Sequence, residues 1–187
     1  MIVVTKPQIQ LTLEDFLALK ETKPVSEFIN GEIHQKPIPQ GIHSSLQVDV
    51  CEAINHVVKS KKIAKAFTEL RFTFDNRSIV PDIAVMRWAR IPLDDKGRIT
   101  NRFPTYPDWV IEILSPEQSL TQVLAKLLHC SQQGTEISWL INPDDEAILA
   151  VFPEQKIGVY QRDITLPVLE GIELVLTPEN IFNWLKL

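Results

Sequence analysis

The stretch IVPDIAVM, residues 79–86, has the composition of a buried β-strand, yet two of its residues are foreign to one. Pro81 has no N–H to give to a neighbouring strand, and Asp82 sets a charge among Ile83, Ala84, Val85 and Met86. The same intrusion recurs in WVIEIL, residues 109–114, where Glu112 stands between Ile111 and Ile113. A buried, unpaired carboxylate is costly, so each of these residues demands a partner. Asp82 has two candidates: Arg71 across a hairpin, or a cation shared with Glu112. Glu112 has no obvious local partner.

The surrounding chain supplies the frame. AKAFTELRFTF (64–74) alternates Leu70, Phe72 and Phe74 with Glu69, Arg71 and Thr73, as a half-buried strand does. DNRS (75–78) turns it into IVPDIAVM, with Phe74 expected opposite Ile79 and Arg71 therefore opposite Asp82. WVIEIL is almost continuously apolar, the pattern of a central strand covered on both faces. SEFINGEIHQKPIP (26–39) reads as a strand pair or a bent strand turning at Asn30-Gly31. ISWLIN (137–142) and AILAVF (147–152) form a hairpin, and KIGVYQ and IELVL add strands.

Helices are expected in four places. Thr12-Leu-Glu-Asp15 is a capping box opening a short helix to about Lys20. Ser44 caps a helix to about Lys59, with Leu46, Val50, Ala53, Ile54 and Val57 on one stripe. A third runs from about Leu120 to Gln133, striped by Leu120, Val123, Leu124, Leu127 and Leu128 and stopped by Gly134. Thr177-Pro178 starts the last. This order predicts an α/β fold, a mixed β-sheet flanked by helices, with residues 1–187 as a single domain.

Composition narrows the function classes. Lys and Arg number 19 against 24 Asp and Glu, a formal charge of −5, which argues against bulk electrostatic coating of nucleic acid. Two local basic clusters stand out: KSKKIAK (59–65), and residues 87–102 with Arg87, Arg90, Lys96, Arg98 and Arg102 against Asp94 and Asp95. Solvated surface lysines and a polar loop are the ordinary reading of each. No run of about 18 apolar residues is present, so no membrane span is expected, and MIVVTKPQIQ lacks the pattern of a secretory signal. Cys51 and Cys130 are isolated, which suits reduced, buried thiols in a cytoplasmic protein.

Asp82 and Glu112 occupy strands that can lie side by side. Carboxylates so placed can hold a divalent cation that neutralises both. Hard oxygen ligands favour Mg²⁺, or Mn²⁺, over zinc. Mg²⁺ completes its shell with waters and substrate phosphate, a setting for phosphodiester hydrolysis.

Pro81-Asp82, a spacer, and Glu112 at the end of an apolar strand resemble the PD-(D/E)XK nuclease signature. INGEIHQKPIP, a helix beginning near His43, IVPDIAVM, PDWVIEILSPEQS and SWLINPDDEAILAV together resemble an abundant bacterial family of restriction-endonuclease-like proteins, over roughly residues 12–160. The resemblance implies a restriction-endonuclease-like mixed β-sheet flanked by helices with additional β-hairpins, Mg²⁺ dependence and action on DNA, often as a homodimer. The chain departs from the superfamily at Leu114, where a lysine is usual. In relatives that lysine can come from the following helix, and Lys126 stands at that place; a helical wheel nonetheless puts Lys126 off the leucine stripe, where a solvent-facing lysine is an ordinary reading. His43, at the edge of its helix's apolar face, and Glu69, on the same sheet face as Asp82, are the supporting site candidates. Glu32, Glu52 and Asp108 have structural readings: a hairpin turn, a solvated helix face and a polar strand start.

Two functions from different classes follow. The first is a Mg²⁺-dependent endonuclease in which Asp82 and Glu112 bind the metal, Lys126 assists the attacking water and the 87–102 loop touches DNA. The second is a DNA-binding or protein-interaction module that keeps the fold without the chemistry. A hydrolase of a smaller phosphorylated molecule fits the same residues.

Overall fold

The computed structural model describes residues 11–116 and 118–186; Met1–Gln10, where the secretory-signal reading falls, lie outside the described residues. Among the described residues, ten strands form two sheets. β1 (Ser26–Ile29), β2 (Glu32–Gln35), β4 (Phe72–Phe74) and β5 (Arg77–Ile79) make a four-stranded antiparallel sheet in the order β2-β1-β5-β4. β3 (Ala64–Thr68), β6 (Ile83–Arg87), β7 (Trp109–Ile113), β8 (Ile137–Asn142), β9 (Ala147–Val151) and β10 (Ile157–Gln161) make a six-stranded mixed sheet in the order β10-β9-β8-β7-β6-β3. Its one parallel pair among the described strands is β7–β8, joined by a helix as a parallel connection requires. This is the α/β arrangement expected from the sequence.

The stretch that looked like one strand, 79–86, is divided between the two sheets. Phe72 pairs with Ile79 and Phe74 with Arg77, so the turn is the two-residue Asp75-Asn76, with φ of 45° and 55°. Positive φ at both central residues is the geometry whose twist matches a tight hairpin. The expected register, Phe74 opposite Ile79, was therefore two residues off, and Arg71 does not face Asp82. Its guanidinium donates to Ser78 Oγ at 2.9 Å and the Ser26 carbonyl at 3.0 Å, and pairs with Glu21 at 2.8 Å. The chain then crosses at Val80-Pro81-Asp82 into β6, where it lies antiparallel to β7 with Ile83 opposite Ile111. AKAFTELRFTF divides likewise, into β3 and β4, at Glu69 (φ 50°).

Two helices cover the large sheet. α2 (Gly41–Val58) starts three residues before the expected Ser44, with Gln40 at its N-cap. Leu46, Val50, Ile54 and Val58 pack on the face carrying Ile83, Val85, Ile111, Ile113, Trp139 and Ile141. α3 (Leu120–Gln132) covers the other face through Val123, Leu127 and Cys130, against Ala84, Met86, Val110 and Leu140. Its buried side is rotated from the expected leucine stripe: Leu120 is 36% exposed, whereas Lys126 is buried. The cause is the second sheet, which flanks α3 and covers a side that a helix on a lone sheet would show to water. α3 stops at Gly134, φ 113°, where a Cβ would lie 2.6 Å from the Tyr106 ring.

Both ends of the chain use capping boxes, at Thr12 for α1 (Leu13–Ala18) and at Thr177 for α4 (Pro178–Asn183). IELVL is not a strand. Ile172 and Leu176 are buried against the α2 face of the sheet without joining its hydrogen-bond ladder. Among the described residues no helix is long and apolar enough to cross a membrane. Both cysteines are free thiols, Cys51 half-buried and Cys130 buried, with burial pushing the Cys130 thiol up to about 12.

Two tests follow. Ile54→Ala removes a fully buried side chain between α2 and the sheet, and chemical denaturation should show a loss of about 2–5 kcal/mol. Cys130 should resist a thiol reagent at pH 8 in the native protein and react once it is unfolded, because the thiolate is the reactive form.

Candidate functional site

Asp82 sits at the crossing between the sheets, so it leaves the ladder just where Pro81 has no N–H to contribute to it. Its backbone carbonyl accepts from Gln47 Nε2 at 2.9 Å and from the Glu69 N–H at 3.3 Å. Its carboxylate is held on both oxygens. Oδ2 accepts from the Ile113 N–H at 2.7 Å and lies 3.1 Å from His43 Nε2, while Oδ1 lies 2.5 Å from Lys36 Nζ. A strand-end backbone and a helix side chain thus aim the carboxylate at a lysine.

Glu112 is placed by the two-residue period of β7. Ile111 and Ile113 face α2, so Val110 and Glu112 face α3. There Glu112 Oε1 lies 2.9 Å from Lys126 Nζ and Oε2 lies 3.3 Å from Lys36 Nζ. Glu112 Oε1 nevertheless has no well-aligned hydrogen-bond donor among the described residues. Its contact with Lys126 is a close ion pair. Lys126 is held on its other side by Glu27 of β1, at 3.0 and 3.1 Å from the two oxygens. Glu27 also accepts the Val80 N–H at 2.7 Å, and Lys36 donates to the Val80 carbonyl at 2.9 Å.

These groups fix one another's charge. Burial opposes ionisation of Asp82, yet the Lys36 charge, the His43 ring and the Ile113 N–H outweigh it and hold the carboxyl well below the usual range. Burial likewise opposes the charge on both lysines. The Glu112, Asp82 and Glu27 carboxylates hold Lys36 above the ordinary lysine range, and Glu112 and Glu27 do the same for Lys126. Glu112 is pushed up by burial, against the pull of Lys126 and Lys36.

The expected site residues divide accordingly. Asp82, Glu112, Lys126 and His43 converge on one buried cluster. The solvent-facing reading of Lys126 is overturned, and so is the Asp82–Arg71 pair. Glu69 does not join the cluster; its side chain is exposed beyond the end of β3. Asp108 is more than a strand start: it is 2% exposed, accepts the Arg87 N–H at 2.7 Å and pairs with Arg90. Glu27, Lys36 and Gln47 went unforeseen. Glu27 carries the same signal as Glu112, a carboxylate in a short apolar strand, and was legible on that ground. Lys36, in an exposed hairpin arm ahead of two prolines, gives no such signal.

Three of the five cations between residues 87 and 102 are engaged within the protein, Arg87 with Glu136, Arg90 with Asp108 and Arg98 with Asp94. A cleft of about 710 Å³ lies instead between the β1–β2 hairpin and α3, with Glu27, Lys36 and Lys126 in its wall beside Arg77, His34 and Gln122.

The donor set fits one class of metal. Among the described residues no group of three or more His, Cys, Asp or Glu is arranged to hold an ion, which does not suit the three or four protein ligands of zinc. Two carboxylates whose oxygens lie within 3.3 Å of a single nitrogen suit Mg²⁺, which takes one or two carboxylates and keeps waters.

A family model, Uma2, described as "Putative restriction endonuclease", matches residues 13–181. Among solved structures, the chain is similar to one described as "a putative nuclease belonging to DUF820 from Anabaena variabilis ATCC 29413". The two are 48% identical, with a TM-score of 0.92 over 94% of this chain and 99% of that one. No functionally curated protein matches.

Removing one partner of a buried pair leaves the other charge uncompensated. Lys126→Met should therefore destabilise the protein by about 3–5 kcal/mol in urea denaturation, and adding Glu27→Gln to that variant should recover part of the loss.

Proposed function

The chain belongs to the Uma2 family of restriction-endonuclease-like proteins, and on that premise we propose that it is a Mg²⁺-dependent endonuclease that hydrolyses DNA phosphodiester bonds. The observation that carries the proposal is the convergence of Asp82 and Glu112 on one cationic nitrogen, at 2.5 and 3.3 Å, in a setting where each would otherwise be a buried liability.

Asp82 and Glu112 would hold the ion, which when bound supplies charge neutralisation at the phosphoryl group and makes a water more acidic. Asp82 keeps one orientation, because the Ile113 N–H and His43 hold the oxygen remote from Lys36. Lys126, kept charged by Glu27 and Glu112, offers an ammonium to charge developing on the phosphoryl oxygens. It thereby takes the role of the lysine that Leu114 lacks. Glu27 orients that ammonium with both oxygens rather than touching substrate. The cleft beside the hairpin, with Arg77 in its wall, admits the nucleic-acid backbone to the lysine side of the cluster.

A second reading, a nuclease-fold module that binds DNA or protein without chemistry, draws on the fact that both carboxylates already have lysine partners. The two readings separate in one experiment. With Mg²⁺ or Mn²⁺ the purified protein should nick plasmid DNA, and Asp82→Ala or Glu112→Gln should slow nicking by about 100-fold or more. Intact plasmid across DNA types and both metals, together with salt-dependent DNA retention, would favour the module.

A further inference from the structure

Lys36 is the member of the cluster for which the endonuclease reading above has no use. We infer that Lys36 is a built-in occupant of the cation position, whose ammonium must leave the two carboxylates before a divalent ion can bind between them. The inference rests on that reading.

Three observations carry it. First, Lys36 Nζ reaches one oxygen of each carboxylate that would hold the ion, Asp82 Oδ1 and Glu112 Oε2, and no other cation among the described residues contacts both carboxylates. Second, it stands in the way. Asp82 and Glu112 are 3% and 1% exposed, and the cleft wall beside them carries Lys36 and Lys126 but neither carboxylate. Third, Lys36 has the looser backbone tether of the two lysines, although its ammonium also donates to the Val80 carbonyl at 2.9 Å. Lys126 projects from α3 and is gripped by both oxygens of Glu27. Lys36 lies just beyond β2, an edge strand exposed along its length, with its backbone N–H on the Val25 carbonyl. Four flexible methylenes then separate that anchor from the ammonium.

The charge balance sets the direction of the effect. Glu27, Asp82 and Glu112 face Lys36 and Lys126. Without the Lys36 charge three carboxylates answer to one lysine, with His43 alongside, and the site's demand for a cation rises. Affinity for a metal is reduced by the fraction of molecules in which the position is open. If Lys36 holds the position in nine molecules of ten or more, its removal tightens metal binding about tenfold or more.

Calorimetric titration with Mn²⁺ tests this on the full chain. The wild type should bind and Asp82→Asn should not. Lys36→Met should bind about tenfold or more tighter than wild type, with a correspondingly larger rise of its melting temperature on Mn²⁺ addition. Lys36→Arg, which keeps the charge, should bind no tighter than wild type, and Lys36→Gln serves as the neutral variant if Lys36→Met does not fold. Equal or weaker Mn²⁺ binding by the neutral variants, with binding still dependent on Asp82, overturns the role of Lys36 and leaves the metal site standing. Tighter binding by Lys36→Arg overturns it too, since charge would not be the cause. If neither wild type nor the neutral variants bind Mn²⁺, the metal-dependent reading fails and this inference fails with it.

Discussion

Three carboxylates and two ammonium groups share one buried space, and the requirement that none be left alone organises the molecule around them. Glu27 comes from the small sheet, Glu112 from the large one, and Asp82 from the chain between the two. Lys126 arrives on α3 and Lys36 from the hairpin arm. The cluster is therefore the joint at which both sheets and a covering helix meet. A buried ion network of this kind is a poor source of net stability, because well-packed apolar residues of similar volume commonly do as well or better. Its breakage is expensive all the same. Under the proposed function Asp82 and Glu112 would hold a cation and Lys126 would meet a phosphate, which gives the network a use beyond cohesion.

The proline that seemed misplaced belongs to the same logic. A strand that leaves one sheet for another must interrupt its hydrogen-bond ladder, and the crossing residues need partners from elsewhere. Val80 finds them in side chains, Glu27 for its N–H and Lys36 for its carbonyl. Pro81 has no N–H to satisfy, and the Asp82 carbonyl turns to Gln47 and Glu69. The crossing thus releases a carboxylate from the ladder and ties the backbone beside it to the site. The local electrostatics follow the same plan. Three basic residues of the 87–102 excursion pair with neighbouring acids, while Lys36, Arg77 and Lys126 line the cleft alongside Glu27 and Glu32.

Much of this was legible in the sequence. Two carboxylates in apolar stretches announced buried charges that needed partners, β6 and β7 do lie side by side, and hairpins and capping boxes declared themselves through Asn30-Gly31, Thr12 and Thr177. Glu27 was legible by a weaker form of the same rule, a carboxylate beside Phe28 and Ile29 in a short strand. The register of the Asp75-Asn76 hairpin was not, since a two-residue turn and a longer one suit the same alternating residues. A displacement of two positions there was enough to suggest a false Arg71–Asp82 pair.

What the sequence determined by itself are properties that depend on near neighbours in the chain: the capping boxes at Thr12 and Thr177, the two-residue period of a strand, and the presence of charges that needed partners. What only the tertiary structure decided is who those partners are. Lys126 is buried because a second sheet flanks its helix, and Lys36 reaches Asp82 and Glu112 across 46 and 76 positions of sequence. A helical wheel knows the angle of a residue but not what lies beyond the helix. A lysine in an exposed arm looks like any other until the fold brings it against an anion, because the energy of an ion pair depends on distance and burial in space.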